Sequence, residues 1–216
     1  MDRFDRPRRA LAVVLAGLAG YVDATGFLSA GGYFTSFMSG NTTRLGVNLA
    51  RDPAVALVPA ALIAGFVAGV TLGALAAERW PVRRKTAVMA LVLALLVVAA
   101  LAHGRWLAIF LAASVVAMGA LNNVFRRNGE VAIGITYMTG ALVRFGQGLA
   151  ARLTGKSAEA RPGAGSLWLG LATGAVCGAL AFTRWPTAAA WIAAGCAAVM
   201  LVTANTIERR IPQPPS

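Results

Sequence analysis

The chain has 216 residues, 58% of them apolar, and a mean hydropathy of +0.68, above the roughly 45–50% apolar usage of soluble domains, which excludes a water-soluble globule. Its net charge of +12 is spread between apolar runs, which fits membrane orientation and contact with anionic headgroups and argues against nucleic-acid binding. One His and two Cys exclude a disulfide framework and a clustered His/Cys metal site, and no cofactor motif is present.

In chain order, Arg3, Arg6, Arg8 and Arg9 precede a first apolar run at residues 10–32. This layout resembles a signal peptide, with Val22-Asp23-Ala24 as a poor cleavage site. Runs of similar character follow at 54–77, 86–102, 106–125, 167–183 and 187–206, each near the ~20 residues that cross hydrocarbon as a helix. Residues 33–50 and 131–150 are helical in length but carry Gly, Ser, Thr, Asn and Arg, so they are either further spans or re-entrant half-helices. The connection 154–165 reads as a flexible loop, and residues 1–9 and 207–216 as mobile tails.

The chain is written twice. Phe37-Met38-Ser39-Gly40 through Arg44 to Ala50 returns one hundred residues later as Tyr137-Met138-Thr139-Gly140 through Arg144 to Ala150. Gly65, Gly69, Gly73, Arg79, Trp80 and Pro81 return as Gly170, Gly174, Gly178, Arg184, Trp185 and Pro186. The first repeat covers about 10–103 and the second about 106–206, within one integral membrane domain. Cleavage after residue 24 would strip the first copy of the partner of 107–124, so the N-terminal run is read as a retained span. With six spans and both termini inside, only Arg44, Arg51, Arg105 and Arg184 of the twenty Lys and Arg lie outside. With eight spans the outside count rises to seven, Arg79, Arg83, Arg84, Lys85, Arg126, Arg127 and Arg184. The positive-inside rule therefore favours six transmembrane helices, three per copy, and an odd number per copy inverts the second. The expected fold is all-α, two inverted three-helix repeats, each with a re-entrant half-helix.

Asp23 is the single acid within a clear apolar run, where an ionised carboxylate costs about 2.5–3.5 kcal/mol. It is a proton or cation relay, or a structural ion pair or helix cap. At an offset of one hundred its counterpart is Asn123, beside Asn122. Ser39 and Thr139 suit N-cap positions, each followed by a glycine, Gly40 or Gly140, that lets another backbone approach. A re-entrant helix start there offers free N–H groups to an anionic group. Asn41, Arg44, Leu45 and Asn48 share one helical face by their spacing, with Thr42 beside them. The face either contacts a solute or forms a polar packing seam. Arg44 and Arg144 bind an anion, pair with Asp23 and Glu130, or reach to headgroups. The glycine triplets are close-packing stripes, or, more weakly, a homo-oligomer face. His103 sits at an interface, and no acid/base constellation with Ser39 marks an enzyme.

Gly20-Tyr21-Val22-Asp23-Ala24-Thr25-Gly26-Phe27, followed by Phe37-Met38-Ser39-Gly40-Asn41-Thr42, resembles the YoaK-like family of uncharacterised bacterial membrane proteins over nearly the whole chain. Members often carry Thr where this chain has Ser39, which keeps the hydroxyl. The resemblance implies a six-helix permease of unestablished cargo in the bacterial cytoplasmic membrane. The residues themselves point to a small secondary transporter, with Asp23, Ser39, Gly40, Asn41, Thr42, Arg44, Asn123, Thr139, Gly140 and Arg144 as candidate solute contacts. A passive channel and a non-transporting scaffold that binds a protein or lipid are the alternatives.

Overall fold

The computed structural model describes residues 6–127, 130–131, 134–136, 138–155 and 163–210. Helices α1 (Arg6–Ser29), α2 (Met38–Arg51), α3 (Leu57–Arg79) and α4 (Arg84–Ala102) form the first copy. Helices α5 (Leu107–Leu121), α6 (Met138–Leu153), α7 (Ala164–Arg184) and α8 (Pro186–Arg210) form the second. A 3-10 turn at Pro81–Arg83 leads into α4, and a two-residue antiparallel ladder pairs β1 (Arg126–Arg127) with β2 (Glu130–Val131). Among the described residues the regular structure is otherwise helical, one of the arrangements that satisfies the backbone internally in lipid.

Among the described residues, five segments are long and apolar enough to cross a membrane: Pro7–Ser29, Leu57–Arg79, Pro81–Ala102, Gly165–Arg184 and Pro186–Arg209. The run at 106–125 departs from expectation, because α5 is helical for only 15 residues and residues 122–125 are turn. At 1.5 Å per residue α5 spans roughly 22 Å, short of the ~30 Å hydrocarbon core. Its end is set by two asparagines that bond to backbone carbonyls, Asn122 to Met118 and Asn123 to Ala120 and Val70, the competition that makes Asn a helix terminator. The expected tails are shorter than the sequence indicated, since residues 6–9 belong to α1 and 207–210 to α8. The connection 154–165 lies largely outside the described residues.

The helices pair across the copies. Val13, Gly17 and Tyr21 of α1 meet Gly170, Gly174 and Gly178 of α7 in the same order, so the two run parallel. Gly69 and Gly73 of α3 meet Val116 and Ala120 of α5, again parallel. A Cβ on Gly174 would overlap the Gly17 carbonyl, and one on Gly73 would lie 2.8 Å from Ala120. Gly69, Gly73 and the triplet Gly170, Gly174 and Gly178 are thus backbone-to-backbone crossings inside one chain, while Gly65 meets the Val115 side chain. By contrast α4 and α8, corresponding helices of the two copies, pack antiparallel. The start of α4 at Lys85 meets Glu208 near the end of α8, and the end of α4, Ala99–Ala102, clusters with Ala190 near the α8 start. The main core joins α1, α4, α5 and α8 through Leu15, Met89, Leu96, Met118 and Ala197.

Candidate functional site

The first copy breaks between α1 and α2. After Ser29 the chain reverses, and Thr35 and Ser36 return to the level of Asp23, two turns back from the end of α1. Asp23 Oδ1 accepts the Thr35 amide at 2.7 Å, the Ser36 amide at 2.7 Å and the Thr35 hydroxyl at 3.2 Å. From the other side Asn41, fully buried in α2, closes a two-way bond with residue 34. Its Oδ1 accepts the Phe34 amide at 3.1 Å and its Nδ2 donates to the Phe34 carbonyl at 2.8 Å. Three consecutive amides that no helix satisfies are therefore occupied by two side chains, which is what a nonhelical stretch within a membrane requires.

Several expectations change here. The free N–H groups expected to meet an anionic solute belong to the start of α2, whereas the amides that Asp23 holds are those of residues 35 and 36, ahead of that helix, so Asp23 caps the break. Helix α2 starts at Met38 with Phe37 at its N-cap, and Ser39 is exposed inside the helix rather than capping it. Thr139 is likewise exposed in the first turn of α6. Gly40 leaves room for the Phe34 and Phe37 rings, which a Cβ would approach within 2.9 Å, and not for a backbone. Among the described residues, a Cβ on Gly140 would meet only Arg144, at 3.5 Å. Thr42 is exposed and bonds to the Met38 carbonyl.

The spacing argument for α2 holds: Asn41, Arg44, Leu45 and Asn48 face inward while Thr42, Thr43, Gly46 and Val47 are exposed. Arg44 does not pair with Asp23. Its guanidinium lies over the rings of Tyr33 at 5.2 Å and of Phe27 and Phe34 at 6.0 Å each, a cation–π arrangement that holds the charge without an acid. Arg144 is exposed on α6, and its expected partner Glu130 has a side chain outside the described set. Asn123 is a packing link, donating to the Val70 carbonyl of α3 at 3.0 Å. His103 sits by Ser29 (3.4 Å), not Ser39, stacked edge-on against Phe110 and Phe182.

The true counterpart of Asp23 follows from the helix crossings. Gly69 and Gly174 correspond, as do Gly73 and Gly178. Their neighbours are Val116 against Gly17 and Ala120 against Tyr21, so α1 and α5 align at an offset of 99. Asp23 then matches Asn122, not Asn123. The bonds agree: Asn122 Oδ1 accepts the Thr136 hydroxyl at 3.2 Å and its amide at 3.4 Å. Sequence alone misses this because the repeated 37–50 segment aligns at one hundred, and the one-residue slip falls in the break. An apolar groove of about 560 Å³ between α1, α7 and α8, lined by Val14, Gly17, Tyr21, Leu169, Cys177 and Met200 among others, includes none of these site residues.

These features describe a polytopic helical membrane protein. The chain belongs to the family described as "Protein of unknown function (DUF1275)", which matches residues 11–203. It is similar to the UPF0700 transmembrane protein RA0705 of Rhizobium meliloti (strain 1021), at 36% identity over 207 residues, covering 93% of this chain and 88% of that protein. No solved structure matches it.

Proposed function

We propose that this protein is a small secondary transporter of the bacterial cytoplasmic membrane, with both termini inside and its two copies inverted. The observation that carries this reading is the Asp23 carboxylate, inside a span, held on the amides of a broken element. Binding sites at discontinuous helices between inverted repeats are a recurring transporter plan, and an acid at such depth is costly unless used. The antiparallel packing of α4 on α8 supports inversion, as does the pairing of each copy's first helix with the other copy's third. In this reading α2 and α6 are re-entrant, the solute passes beside the 30–37 break, and Asp23, Asn41 and Arg44 line its route.

Uptake of a solute library into proteoliposomes tests this. A saturable flux driven uphill by a proton gradient, and lost in Asp23→Asn, is expected. Flux that cannot be driven uphill identifies a channel, and transport unchanged in both Asp23→Asn and Arg44→Ala removes the proposed site.

A further inference from the structure

The two copies hold the same joint in two chemical states. In the first, an acid grips the break with amide bonds of 2.7 Å. In the second, a neutral amide side chain in the equivalent position holds the amide of Thr136, the residue that aligns with Ser36, at 3.4 Å. Asn is close in shape to a protonated Asp: one oxygen accepts, and the other terminal atom carries hydrogen. Asn122 spends that hydrogen on the Met118 carbonyl, four residues back, at 3.1 Å. At the 99-residue offset the corresponding acceptor in α1 is Ala19. Its carbonyl keeps a second lone pair beside the helix bond, and α1 already uses such lone pairs: Thr25 donates to Tyr21 four residues back at 3.1 Å, and Ser29 to Thr25 at 2.7 Å.

We infer that Asp23 is the coupling proton site of the proposed transporter, taking its proton on Oδ2 and directing it to the Ala19 carbonyl while Oδ1 stays on Thr35 and Ser36, and that Asn122 locks the second copy in the corresponding neutral state. This rests on the transporter reading and names its coupling ion. The step balances simply: one proton enters from water, the carboxylate becomes a neutral acid, and the same proton leaves. Neutralisation removes the charge assistance from the Thr35 and Ser36 bonds, so it relaxes the grip on the 30–37 break toward the longer bond seen at Asn122. The proton thereby controls the element beside the proposed route.

The surroundings leave this assignment to Asp23. Among the described residues, the groups acting on Asp23 are Thr35 and Ser36, with no charged neighbour. Helix α5 has no titratable side chain. Helices α7 and α8 bring Cys177 and Cys196 toward Tyr21, the break brings Tyr33, α2 brings Arg44 over its aromatic rings, and His103 lies at Ser29.

Infrared difference spectra of the whole protein in lipid nanodiscs, recorded across a pH titration, read the site without any solute. We expect a protonated-carboxyl band that disappears in Asp23→Asn and a second titrating band in Asn122→Asp. Hydrogen exchange at residues 34–37 should be about tenfold faster, after correction for intrinsic rates, when Asp23 is neutral than when it is charged, since charged acceptors hold hydrogen bonds more strongly. Asp23→Asn should show the fast rate at every pH. A band that survives in Asp23→Asn, or corrected exchange that ignores pH, overturns the inference. Because neither readout involves flux, a protein that titrates as described yet moves nothing would refute transport and leave the proton site standing.

Discussion

Glu208, near the end of α8, caps the start of α4: its Oε1 accepts the Lys85 amide at 2.8 Å, and its Oε2 accepts the Thr86 amide at 3.0 Å and hydroxyl at 2.7 Å. The Lys85 ammonium lies 3.8 Å from the same carboxylate, and both side chains are almost wholly buried. An acid is favourable at a helix N-terminus because it meets the unsatisfied N–H groups and the positive end of the dipole. Here one acid serves both as cap and as counter-charge for Lys85, and it ties the two corresponding helices of the duplication together. Removing one member of a buried pair leaves the other uncompensated, at a cost of about 3–5 kcal/mol. Glu208→Ala should therefore lower the thermal midpoint in detergent well below that of Glu208→Gln, which keeps an acceptor. Equal midpoints for the two variants would show that capping contributes nothing.

The glycines divide into two groups with opposite expected signs. Gly174 rests on the Gly17 carbonyl, so Gly174→Ala must push α1 and α7 apart, at roughly 1–3 kcal/mol for overpacking. Gly195 is an exposed position in α8 where a Cβ would meet nothing within 4 Å. There alanine removes backbone freedom from the unfolded chain, and Gly195→Ala should raise stability by about 0.5–1 kcal/mol. Thermal unfolding of the two variants side by side checks both signs.

Much of this architecture was legible in the sequence because hydropathy and duplication are strong periodic signals. The five long spans, the inward face of α2 and the glycine crossings all follow from spacing. What was not legible depends on which partner a polar group finds. Arg44 had an anion, Asp23 or a headgroup as its expected partner and found three aromatic rings; Ser39 was expected to cap and lies exposed. Asp23 was matched to Asn123 because a one-residue slip is invisible without the helix contacts that fix register. An anion was expected at the start of α2, whereas the amides that meet an acid are those of residues 35 and 36 in the break, and the chain supplies that acid as Asp23.

His103 offers a pH test outside the spans. Burial of its ring holds it below its ordinary value of 6.5, so the folded protein favours the neutral form and binds fewer protons than the unfolded chain. That contribution to stability is complete above about pH 6.5 and declines as pH falls through this value toward the lower folded one. His103→Phe keeps the contacts with Phe110 and Phe182 and removes the titration. Its thermal midpoint should fall less than that of the parent between about pH 7 and about pH 5, and parallel slopes would remove His103 as the cause.

The inversion of the copies is testable at two corresponding positions. Val82 and Thr187 each follow the proline of an Arg-Trp-Pro step, and both are exposed. In the inverted arrangement Val82 lies inside and Thr187 outside, since α3 and α7 correspond yet end on opposite sides of the membrane. Cysteines placed singly at these positions, in a chain whose exposed Cys177 and Cys196 are replaced by alanine, should differ toward an impermeant maleimide added to intact cells. Thr187→Cys should label at once, and Val82→Cys only after the membrane is opened. The result bears on function directly: if both label from one side, the copies are parallel, α2 and α6 become full spans, and the break at residues 30–37 is no longer half of an inverted pair. Labelling on opposite sides would instead require that Asp23 and Asn122, the matched members of the duplication, approach the membrane from opposite faces, as alternating access between inverted repeats demands.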